Sequence, residues 1–455
     1  MGRSEISREV EYTSSTQSKV CDFRTKEGVS LKLTIPPTVY PPRRDTELLL
    51  EGLNRIQMEP GELVEIGCGS GAITIVKALE DWKVTAFDVN PLAVAASRGN
   101  SEAAGVNDRV TVEEGGVGEG NWNLPVADIV TWNLPYLAPD FENTLGPMEE
   151  AGLSDEEEKG WSEKLLHIAN DERHNRTIFV LLMNTDSNPK NSPFTWLRNG
   201  WSHRTLAIDR VGDDTLEVIA FWRPGYDTKP VVEEKTHSTM DDARKLPKIG
   251  WQRTLSFEQT NGRGRRESVW HSNQGDMTAS WSIEFSELNR WPPGLLQVSI
   301  GASISEALGV ELKWPNDLFF QGKKCGGILI ESSNYEGVIR IGVGLNKRRG
   351  RFQDITYSGW TDYFDEIDTL EMFKIIDASI ASILDSTPPI ECPEPEFWKQ
   401  KSWEKLSESI SRGVTTKLGQ ENVNVVGLSG TGSLKAYSRT NQYDITDIDN
   451  FSFTF

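Results

Sequence analysis

Short apolar runs in the first half of the chain alternate with segments that repeat apolar residues every three or four positions. The run 63–66 meets a glycine-rich turn, the segment 72–79 after it has helical periodicity, and the run 84–87 ends in Asp88. Further apolar runs follow at 128–131, 177–183 and 216–221. Strands that alternate with helices predict a parallel, doubly wound α/β sheet for this half.

The second half has a different pattern. Residues 280–285 alternate as a strand does, and the runs 326–331 and 338–344 are apolar. Helical spacing is seen over 293–308, 369–384 and 397–410. This pattern predicts an α+β domain in which helices pack on one mixed sheet.

The tail from 415 to 455 changes to short paired strands. The segments 423–428 and 434–437 flank a Ser-Gly-Thr-Gly turn, which predicts a hairpin within a small β-barrel. Between the two halves, residues 222–230 are rich in proline, glycine and charge and predict a linker.

Length and composition narrow the class of protein. A chain of 455 residues is too long for one core, so two or three domains are expected. No apolar run reaches the ~18 residues that span a bilayer, and residues 1–16 lack the apolar stretch of a secretory signal. The four cysteines, which show neither metal nor disulfide spacing, predict a reducing cytoplasm; they are Cys21, Cys68, Cys325 and Cys392. The net charge of -20 argues against DNA or an anionic membrane as partner, although it allows a local basic groove.

The first candidate site is a Gly-x-Gly-x-Gly turn at 67–71, directly after a strand that carries Glu65. Its glycines leave room for a ligand at the start of a helix, and Asp88 at the end of the next strand can accept both hydroxyls of a ribose. A tight strand–helix turn without a ligand is the alternative interpretation. The sequence Asn133-Leu134-Pro135-Tyr136 adds an amide and a carbonyl that can hold an amino nitrogen, and a ring that can stack on it.

Together these residues resemble class I S-adenosylmethionine-dependent methyltransferases, and in particular those that methylate a glutamine of peptide release factors. The segment 39–47, Val-Tyr-Pro-Pro-Arg-Arg-Asp-Thr-Glu, is also similar to that family. The resemblance implies a Rossmann-like methyltransferase domain and a release factor as partner. By the same resemblance, S-adenosylmethionine would be bound by Glu65, Gly67, Gly69, Asp88 and Asn133. The methyl-acceptor nitrogen would be bound by Asn133, Pro135 and Tyr136. One departure is Leu134, which stands where the family usually has proline.

The second candidate site consists of three segments rich in glycine and charge. They are 259–266 (Gln-Thr-Asn-Gly-Arg-Gly-Arg-Arg), 313–317 (Lys-Trp-Pro-Asn-Asp) with 322–329 (Gly-Lys-Lys-Cys-Gly-Gly-Ile-Leu), and 341–346 (Ile-Gly-Val-Gly-Leu-Asn). Activation of a carboxylic acid by ATP requires a site that neutralises two anions and shields the mixed anhydride from water. Lys324 adjoins an apolar run, so we expect it to be buried beside a bound anion; a strand-edge lysine that reaches solvent is the alternative.

These segments resemble biotin–protein ligases, and His-Ser-Thr-Met-Asp at 237–241 is similar to that family's Ser-Thr-Asn segment. The resemblance implies ATP, biotin and Mg²⁺ as ligands and Arg265 and Lys324 as the catalytic residues. Biotin would lie on Ser238, Thr239, Met240, Gln259, Arg263, Gly264, Arg265 and Lys324. ATP would lie on Trp270, Asn316, Asp317 and Asn346, with Mg²⁺ near Asp317.

Two departures from the ligase pattern are visible. Met240 stands where asparagine is usual, and Glu267-Ser268 replaces the Gly-Arg that commonly follows the paired arginines. Replacing an arginine and adding a carboxylate should weaken the anion-binding loop, so we expect a working ligase with altered kinetics.

The resulting prediction is a fusion with four segments: a methyltransferase-like domain (1–222), a linker (223–230), a biotin–protein ligase catalytic domain (231–412) and a small SH3-like β-barrel (413–455). The ligase would transfer biotin to a lysine of the biotin carboxyl carrier domain of a carboxylase, and the resemblance allows a homodimer. An alternative is a protein whose main activity is methylation and whose C-terminal half only binds biotin. A third hypothesis, an adenylate-sensing DNA-binding regulator, lacks a winged-helix segment and a basic recognition helix.

Overall fold

The computed structural model describes residues 17–120, 122–135, 160–185, 192–211, 214–265, 268–284, 290–333, 337–364, 367–411, 415–448 and 451–454. The chain divides into two compact units, Met1–Trp196 with His203–Arg223, and Leu197–Ser202 with Pro224–Phe455. None of the described helices combines the length and the apolar composition that crossing a bilayer requires.

The first part of the chain alternates strands and helices. Its strands are β1 (Lys19–Arg24), β2 (Ser30–Ile35), β3 (Glu62–Ile66), β4 (Lys83–Asp88), β5 (Val110–Glu114), β6 (Ile129–Asn133), β7 (Ile178–Asn184), β8 (Ser202–Val211) and β9 (Asp214–Trp222). Its helices are α1 (Arg44–Leu53), α2 (Ala72–Leu79), α3 (Pro91–Ala103), α4 (Trp161–Ala169) and α5 (Pro193–Arg198), with a 3₁₀ turn at Glu172–His174.

One mostly parallel sheet organises this part. Within the described residues its order is β5-β4-β3-β6-β7-β9-β8, and β3 to β7 pair in parallel whereas β7 and β9 are antiparallel. The central strands are buried almost throughout, as near-continuous apolar runs require. Because parallel strands end at the same edge, the turn after β3 and the ends of β4 and β6 lie on one side of the sheet.

The second part contains more and shorter strands. They are β10 (Val231–Glu233), β11 (Trp251–Ser256), β12 (Gly262–Arg263), β13 (Val269–Trp270), β14 (Met277–Glu284), β15 (Glu311–Lys313), β16 (Asp317–Phe320), β17 (Lys323–Ser333), β18 (Val338–Leu345), β19 (Gly350–Phe352), β20 (Ile355–Tyr357), β21 (Thr415–Leu418), β22 (Glu421–Asn422), β23 (Asn424–Leu428), β24 (Leu434–Tyr437), β25 (Gln442–Ile445) and β26 (Phe451–Thr454). The helices are α6 (Thr239–Ala243), α7 (Pro293–Leu308), α8 (Thr369–Leu384) and α9 (Pro395–Ser411), with a 3₁₀ turn at Trp360–Asp362.

A mixed sheet forms the core of this unit. Across the described residues its order is β10-β11-β14-β18-β17-β16-β15, with β14, β18 and β17 at its centre. Helix α7 packs on β17, and α8 packs on β14 and on α7. Both helices are largely buried, in agreement with the spacing of their apolar residues.

A buried ion pair fixes the start of this unit. Asp377 on α8 accepts hydrogen bonds from Arg253 Nη1 at 2.7 Å, from Trp251 Nε1 at 2.7 Å and from Trp281 Nε1 at 2.8 Å. The same guanidinium donates to the backbone carbonyl oxygens of Pro224 and Gly225, both at 2.9 Å. Part of the segment that the sequence predicts as a linker is therefore held on the core of the second unit.

The C-terminal strands form two small sheets, with the orders β22-β21-β26 and β23-β24-β25 among the described residues. Trp314 joins them to the mixed sheet, because its Nε1 donates to Gly432 O at 2.9 Å and its ring packs edge-on against Phe451.

Candidate functional site

The three glycine- and charge-rich segments of the second half meet at one cavity of about 330 Å³. It is lined by residues from the helix α6 region, the β12–β13 hairpin, β16, β17 and β18: Thr239, Met240, Gln259, Arg263, Gly264, Arg265, Ser268, Val269, Trp270, Ala279, Asn316, Asp317, Lys324, Gly327, Ile328, Leu329, Gly342, Val343, Gly344 and Ile448. Residues as far apart in the sequence as Thr239 and Gly344 thus share one space.

The arginine-bearing loop is a short antiparallel hairpin. Gly262 pairs with Trp270, and Arg263 pairs with Val269. Gly264 N donates to Ser268 O at 2.7 Å. This pairing places Arg263 and Arg265 on the cavity wall. Arg266 and Glu267 lie outside the described residues.

Trp270 closes one side of the cavity by packing on bare backbone of β18. A Cβ added to Gly344 would come within 2.5 Å of the Trp270 ring, so glycine is required for the ring to lie flat at this depth. The ammonium of Lys324 lies 5.8 Å from the centroid of the same ring.

Lys324 is not the buried lysine that its apolar neighbours predict. Its side chain is 38% exposed, and its Nζ lies 2.6 Å from Asp317 Oδ1. Register explains the exposure: Lys324 pairs with Phe319 of β16 beside a β-bulge, and its side chain faces the cavity rather than the core. The argument that burial alone implies a bound anion is therefore wrong, because a protein carboxylate already partners this cation.

The opposite wall is polar and internally hydrogen-bonded. Gln259 Oε1 accepts from Thr239 N at 2.7 Å and from Thr239 Oγ1 at 3.0 Å, and Ser280 Oγ donates to Thr239 Oγ1 at 2.9 Å. Next to them, Met240 packs its sulfur over Gly342, where an added Cβ would lie 2.9 Å from Sδ. This wall combines one fixed amide with an apolar thioether.

Three predicted ligand-binding residues are placed differently from the rest. Asn346 donates its amide to Ser358 O at 3.1 Å and is buried; Ser238 is also buried, at the start of α6. Neither is among the described residues that line the cavity. Asn316 does line it, but its Nδ2 is bonded to Ile328 O at 2.8 Å.

One residue of the cavity belongs to none of the sequence motifs. Ile448, in the segment between β25 and β26, contributes to the cavity wall. A local motif does not predict such a contact, because only the tertiary fold brings the tail to the mouth of the cavity.

The glycine turn at 67–71, the first of the two candidate sites in the sequence, lies at the end of the parallel sheet in the first unit. Gly67, Gly69 and Gly71 all have positive φ angles, of 69°, 54° and 83°. Such a turn requires glycine, and it opens into α2. Asp88 accepts hydrogen bonds from Gly69 N at 2.8 Å and Asn90 N at 2.9 Å, so this carboxylate is oriented at the turn.

Glu65 lies under this turn and is fully buried. Burial raises the pKa of its carboxyl to about 8, even though the Thr74 hydroxyl donates a hydrogen bond to it. Burial also raises the pKa of Asp88. At neutral pH the Glu65 carboxyl is therefore mostly protonated in the free protein, and a bound cation would favour its ionised form.

Asn133 stands at the end of β6 with a fixed side chain. Its Nδ2 donates to Asp45 Oδ2 at 2.9 Å, and Asp45 is itself buried. Asn133 Oδ1 is buried and has no hydrogen-bond partner among the described residues. Leu134 is also fully buried, Pro135 follows it, and Tyr136 lies outside the described residues.

The two buried cysteines, Cys68 and Cys325, are unreactive in their surroundings. Burial raises the pKa of Cys325 to about 12 and that of Cys68 well above its ordinary value. Such thiols are poor nucleophiles. Within the part of the chain that the structure describes, no group of three His, Cys, Asp or Glu side chains is arranged to hold a metal ion.

The two halves of the chain are similar to different families of known proteins. Residues 237–346 match the biotin/lipoate A/B protein ligase family, and residues 44–155 match the ribosomal protein L11 methyltransferase (PrmA) family. The chain is 26% identical to the chloroplastic biotin–protein ligase 1 of Arabidopsis thaliana, over 43% of this chain and 58% of that protein. It is 32% identical to the release factor glutamine methyltransferase of Vibrio cholerae, over 25% of this chain and 40% of that protein.

A solved structure, the biotin protein ligase from Aquifex aeolicus in complex with biotin and ATP, is 22% identical, with a TM-score of 0.39 over 50% of this chain and 99% of that one. Each curated relative above is covered over less than two thirds of its length. The predicted resemblance is confirmed for both halves: this chain fuses a part similar to release factor glutamine methyltransferases with a part similar to biotin–protein ligases.

Proposed function

We propose that the second unit is a biotin–protein ligase. It would join the biotin carboxylate to the α-phosphate of ATP with loss of pyrophosphate. A lysine amine of a biotin carboxyl carrier domain would then attack the acyl carbon, and AMP would leave. The observation that carries the proposal is the single cavity shared by Arg263, Arg265 and Lys324.

The cavity residues suit these steps through charge and shielding. The Arg265 guanidinium and the Lys324 ammonium can neutralise the carboxylate and phosphate oxygens that approach each other, while Arg263 lies on the same wall. The Asp317 carboxylate at 2.6 Å orients Lys324 in the free protein. The Trp270 ring forms an apolar wall that excludes water from the mixed anhydride.

Within this proposal, Thr239, Met240, Gln259 and Gly264 contact biotin, while Trp270, Asn316 and Asp317 contact the nucleotide. Ser238 and Asn346 would act from beneath the cavity by holding its walls. Mg²⁺ stays a prediction: Asp317 offers one carboxylate, and Mg²⁺ commonly binds one or two carboxylates together with substrate phosphates.

The test is pyrophosphate release by the full chain on addition of biotin and ATP. Lys324→Met should lower the rate by roughly 100-fold or more, because it removes a cation that acts on the transition state. Lys323→Met is the matched control, since Lys323 is the exposed neighbour on the same strand. Absence of biotin-dependent release from the wild-type protein would overturn the proposal.

We propose further that the first unit methylates a protein amide, with a release factor as the substrate class. Glu65, Gly67, Gly69, Asp88 and Asn133 would hold S-adenosylmethionine. The glycine turn leaves room for the ligand, and Asp88 can accept hydrogen bonds from its ribose hydroxyls. Asn133, Pro135 and Tyr136 would hold the acceptor. The unpartnered Asn133 Oδ1 supports this role, because a buried acceptor oxygen fits the N–H of an incoming amide.

This second activity is tested by transfer of a labelled methyl group from S-adenosylmethionine to a release factor. Asn133→Ala should abolish transfer, whereas S-adenosylmethionine binding should weaken but persist, because four other residues also contact the cofactor in this proposal. Asn175→Ala, in the turn after the Glu172–His174 helix, serves as control. Failure to bind S-adenosylmethionine in calorimetry would contradict the proposal.

We propose the domain limits 1–222, 223–230, 231–412 and 413–455, with the two C-terminal sheets forming a small SH3-like barrel. Buried Leu434, Ala436 and Ile445 would form its core. A cytoplasmic location and a homodimer through the edge of the ligase sheet are further predictions.

A further inference from the structure

The guanidinium of Arg263 lies between two carboxylates on the cavity wall. Its Nη2 is 2.9 Å from Asp241 Oδ1, and its Nη1 is 3.2 Å from Glu331 Oε1. Arg244 joins the same pair: its Nη2 donates to Glu331 Oε2 at 2.9 Å, and its Nη1 is 3.5 Å from Asp241 Oδ1. Each carboxylate therefore bridges both arginines, and charge within this four-residue cluster is balanced.

The cluster joins elements that are distant in sequence. Arg263 belongs to β12, the first strand of the arginine-bearing hairpin; Asp241 is on α6, and Glu331 is on β17. The side chains of Arg263 and Glu331 are 31% and 29% exposed, so water screens these pairs less than it screens fully exposed ones. The Asp241 side chain is 41% exposed, so of the two contacts that hold the hairpin to α6 and to β17, the one with Glu331 is the more shielded.

We propose that Asp241 and Glu331 are positioning residues that latch the arginine-bearing hairpin over the cavity before any ligand binds. The role of this latch depends on the proposed ligase function. Its role would be to retain the acyl-adenylate until an acceptor lysine arrives. The sequence has Glu267-Ser268 where an additional arginine is common, so the loop is expected to bind the anionic ligand more weakly. The contacts of Arg263 with Asp241 and Glu331 would offset this loss by keeping the hairpin closed without help from the ligand.

The closure itself is tested without ligand, on the full chain. Trypsin cleaves after the arginines of the hairpin, and the cleavage rate follows the population of the open state. The double variant Asp241→Asn, Glu331→Gln retains side-chain size but removes both charges. Cleavage within 263–268 should accelerate roughly five- to ten-fold, the factor expected from two partly exposed ion pairs.

Asp242→Asn is the matched control. Asp242 is the neighbour of Asp241 on α6 but pairs with Lys245 at 2.8 Å and with the Thr236 hydroxyl, so its loss should leave cleavage within the hairpin at the wild-type rate. Unchanged cleavage of the double variant, or equal acceleration in Asp242→Asn, would overturn the latch.

Retention of the adenylate is tested with biotin and ATP in the absence of an acceptor. The wild-type chain should release about one pyrophosphate per molecule and then slow, because the adenylate stays bound; the double variant should continue to turn over and should biotinylate unrelated proteins. A double variant that also stops after one turnover contradicts the role in retention. If no form releases pyrophosphate with biotin, the ligase proposal fails, whereas the trypsin result still decides whether the latch exists.

Discussion

At the residue scale, the chemical identity of the cavity residues follows from sequence, but their partners do not. Arg263, Arg265 and Lys324 were expected at one site because cations among glycines indicate phosphate binding. Their carboxylate partners Asp241 and Asp317 come from other segments, and no local pattern specifies such pairs. The error over Lys324 has the same origin: an apolar neighbourhood in sequence says little about a side chain on the opposite face of a strand.

His174 provides a pH-dependent prediction at this scale. It is fully buried against the edge of Phe179, neither ring nitrogen has a hydrogen-bond partner among the described residues, and burial lowers its pKa. The folded state therefore holds the ring neutral, whereas the unfolded chain protonates it below about pH 6.5. Stability is complete above that pH and is lost as the pH falls through and below it.

Thermal unfolding of the wild-type chain at pH 5 and pH 8 measures this effect. His174→Phe should reduce the drop in Tm of the first unit between the two conditions by a few degrees, since it removes the titrating group. His167→Phe, at an exposed position on α4, should leave the drop unchanged. An equal drop in all three proteins would show that His174 does not contribute to it.

At the element scale, segments with strong periodicity were predicted best. The helices Ala72–Leu79, Pro293–Leu308 and Thr369–Leu384 begin and end at the predicted residues, because apolar spacing and end signals agree there. The hairpin of β1 and β2 and the strand β8 were missed. In β2 the exposed Ser30, Lys32 and Thr34 alternate with the buried Leu31, Leu33 and Ile35, a spacing that is typical of a half-buried strand and could have predicted it. The glycines of β18 were predicted to belong to a binding site, but the packing of the Trp270 ring on Gly344 was not predicted.

The close packing of the Trp270 ring on Gly344 gives a prediction about β18. Gly344→Ala would place a methyl group 2.5 Å from the Trp270 ring, so the ring and its hairpin must shift. Affinity for the nucleotide should fall by roughly ten-fold or more, while the protein stays folded. Calorimetry with ATP measures the affinity, and Gly430→Ala is the control, because open space surrounds that position. Unchanged affinity in Gly344→Ala would show that the position of Trp270 does not matter for binding.

At the scale of the whole molecule, the two candidate sites differ in the side chains that they bring together. The chain has a net charge of -20, yet the cavity of the second unit gathers two arginines and a lysine, whereas the glycine turn of the first unit adjoins the buried Glu65 and the partly exposed Asp88. Sequence predicts this division well, because each motif set lies within one half. It does not predict the Arg253–Asp377 pair that fixes residues 224 and 225.

Ligand-dependent unfolding tests whether the halves are separate units. A ligand stabilises only the structure that binds it, so S-adenosylmethionine should raise one thermal transition and biotin with ATP should raise another. With ligand at about 100 times its Kd, each shift should correspond to ~2.7 kcal/mol. Differential scanning calorimetry of the full chain resolves the two. A common transition that both ligands raise together would contradict independent units.

The central claim is that the cations of the C-terminal half surround one acyl-nucleotide. It is tested most directly by a crystal structure of the full chain with a non-hydrolysable biotinyl-adenylate analogue. The account predicts the analogue in the cavity between Trp270 and Gln259, with Arg265 and Lys324 both within hydrogen-bonding distance of its acyl-phosphate mimic. An analogue bound elsewhere, or one that leaves Arg265 and Lys324 in separate cavities, would contradict it.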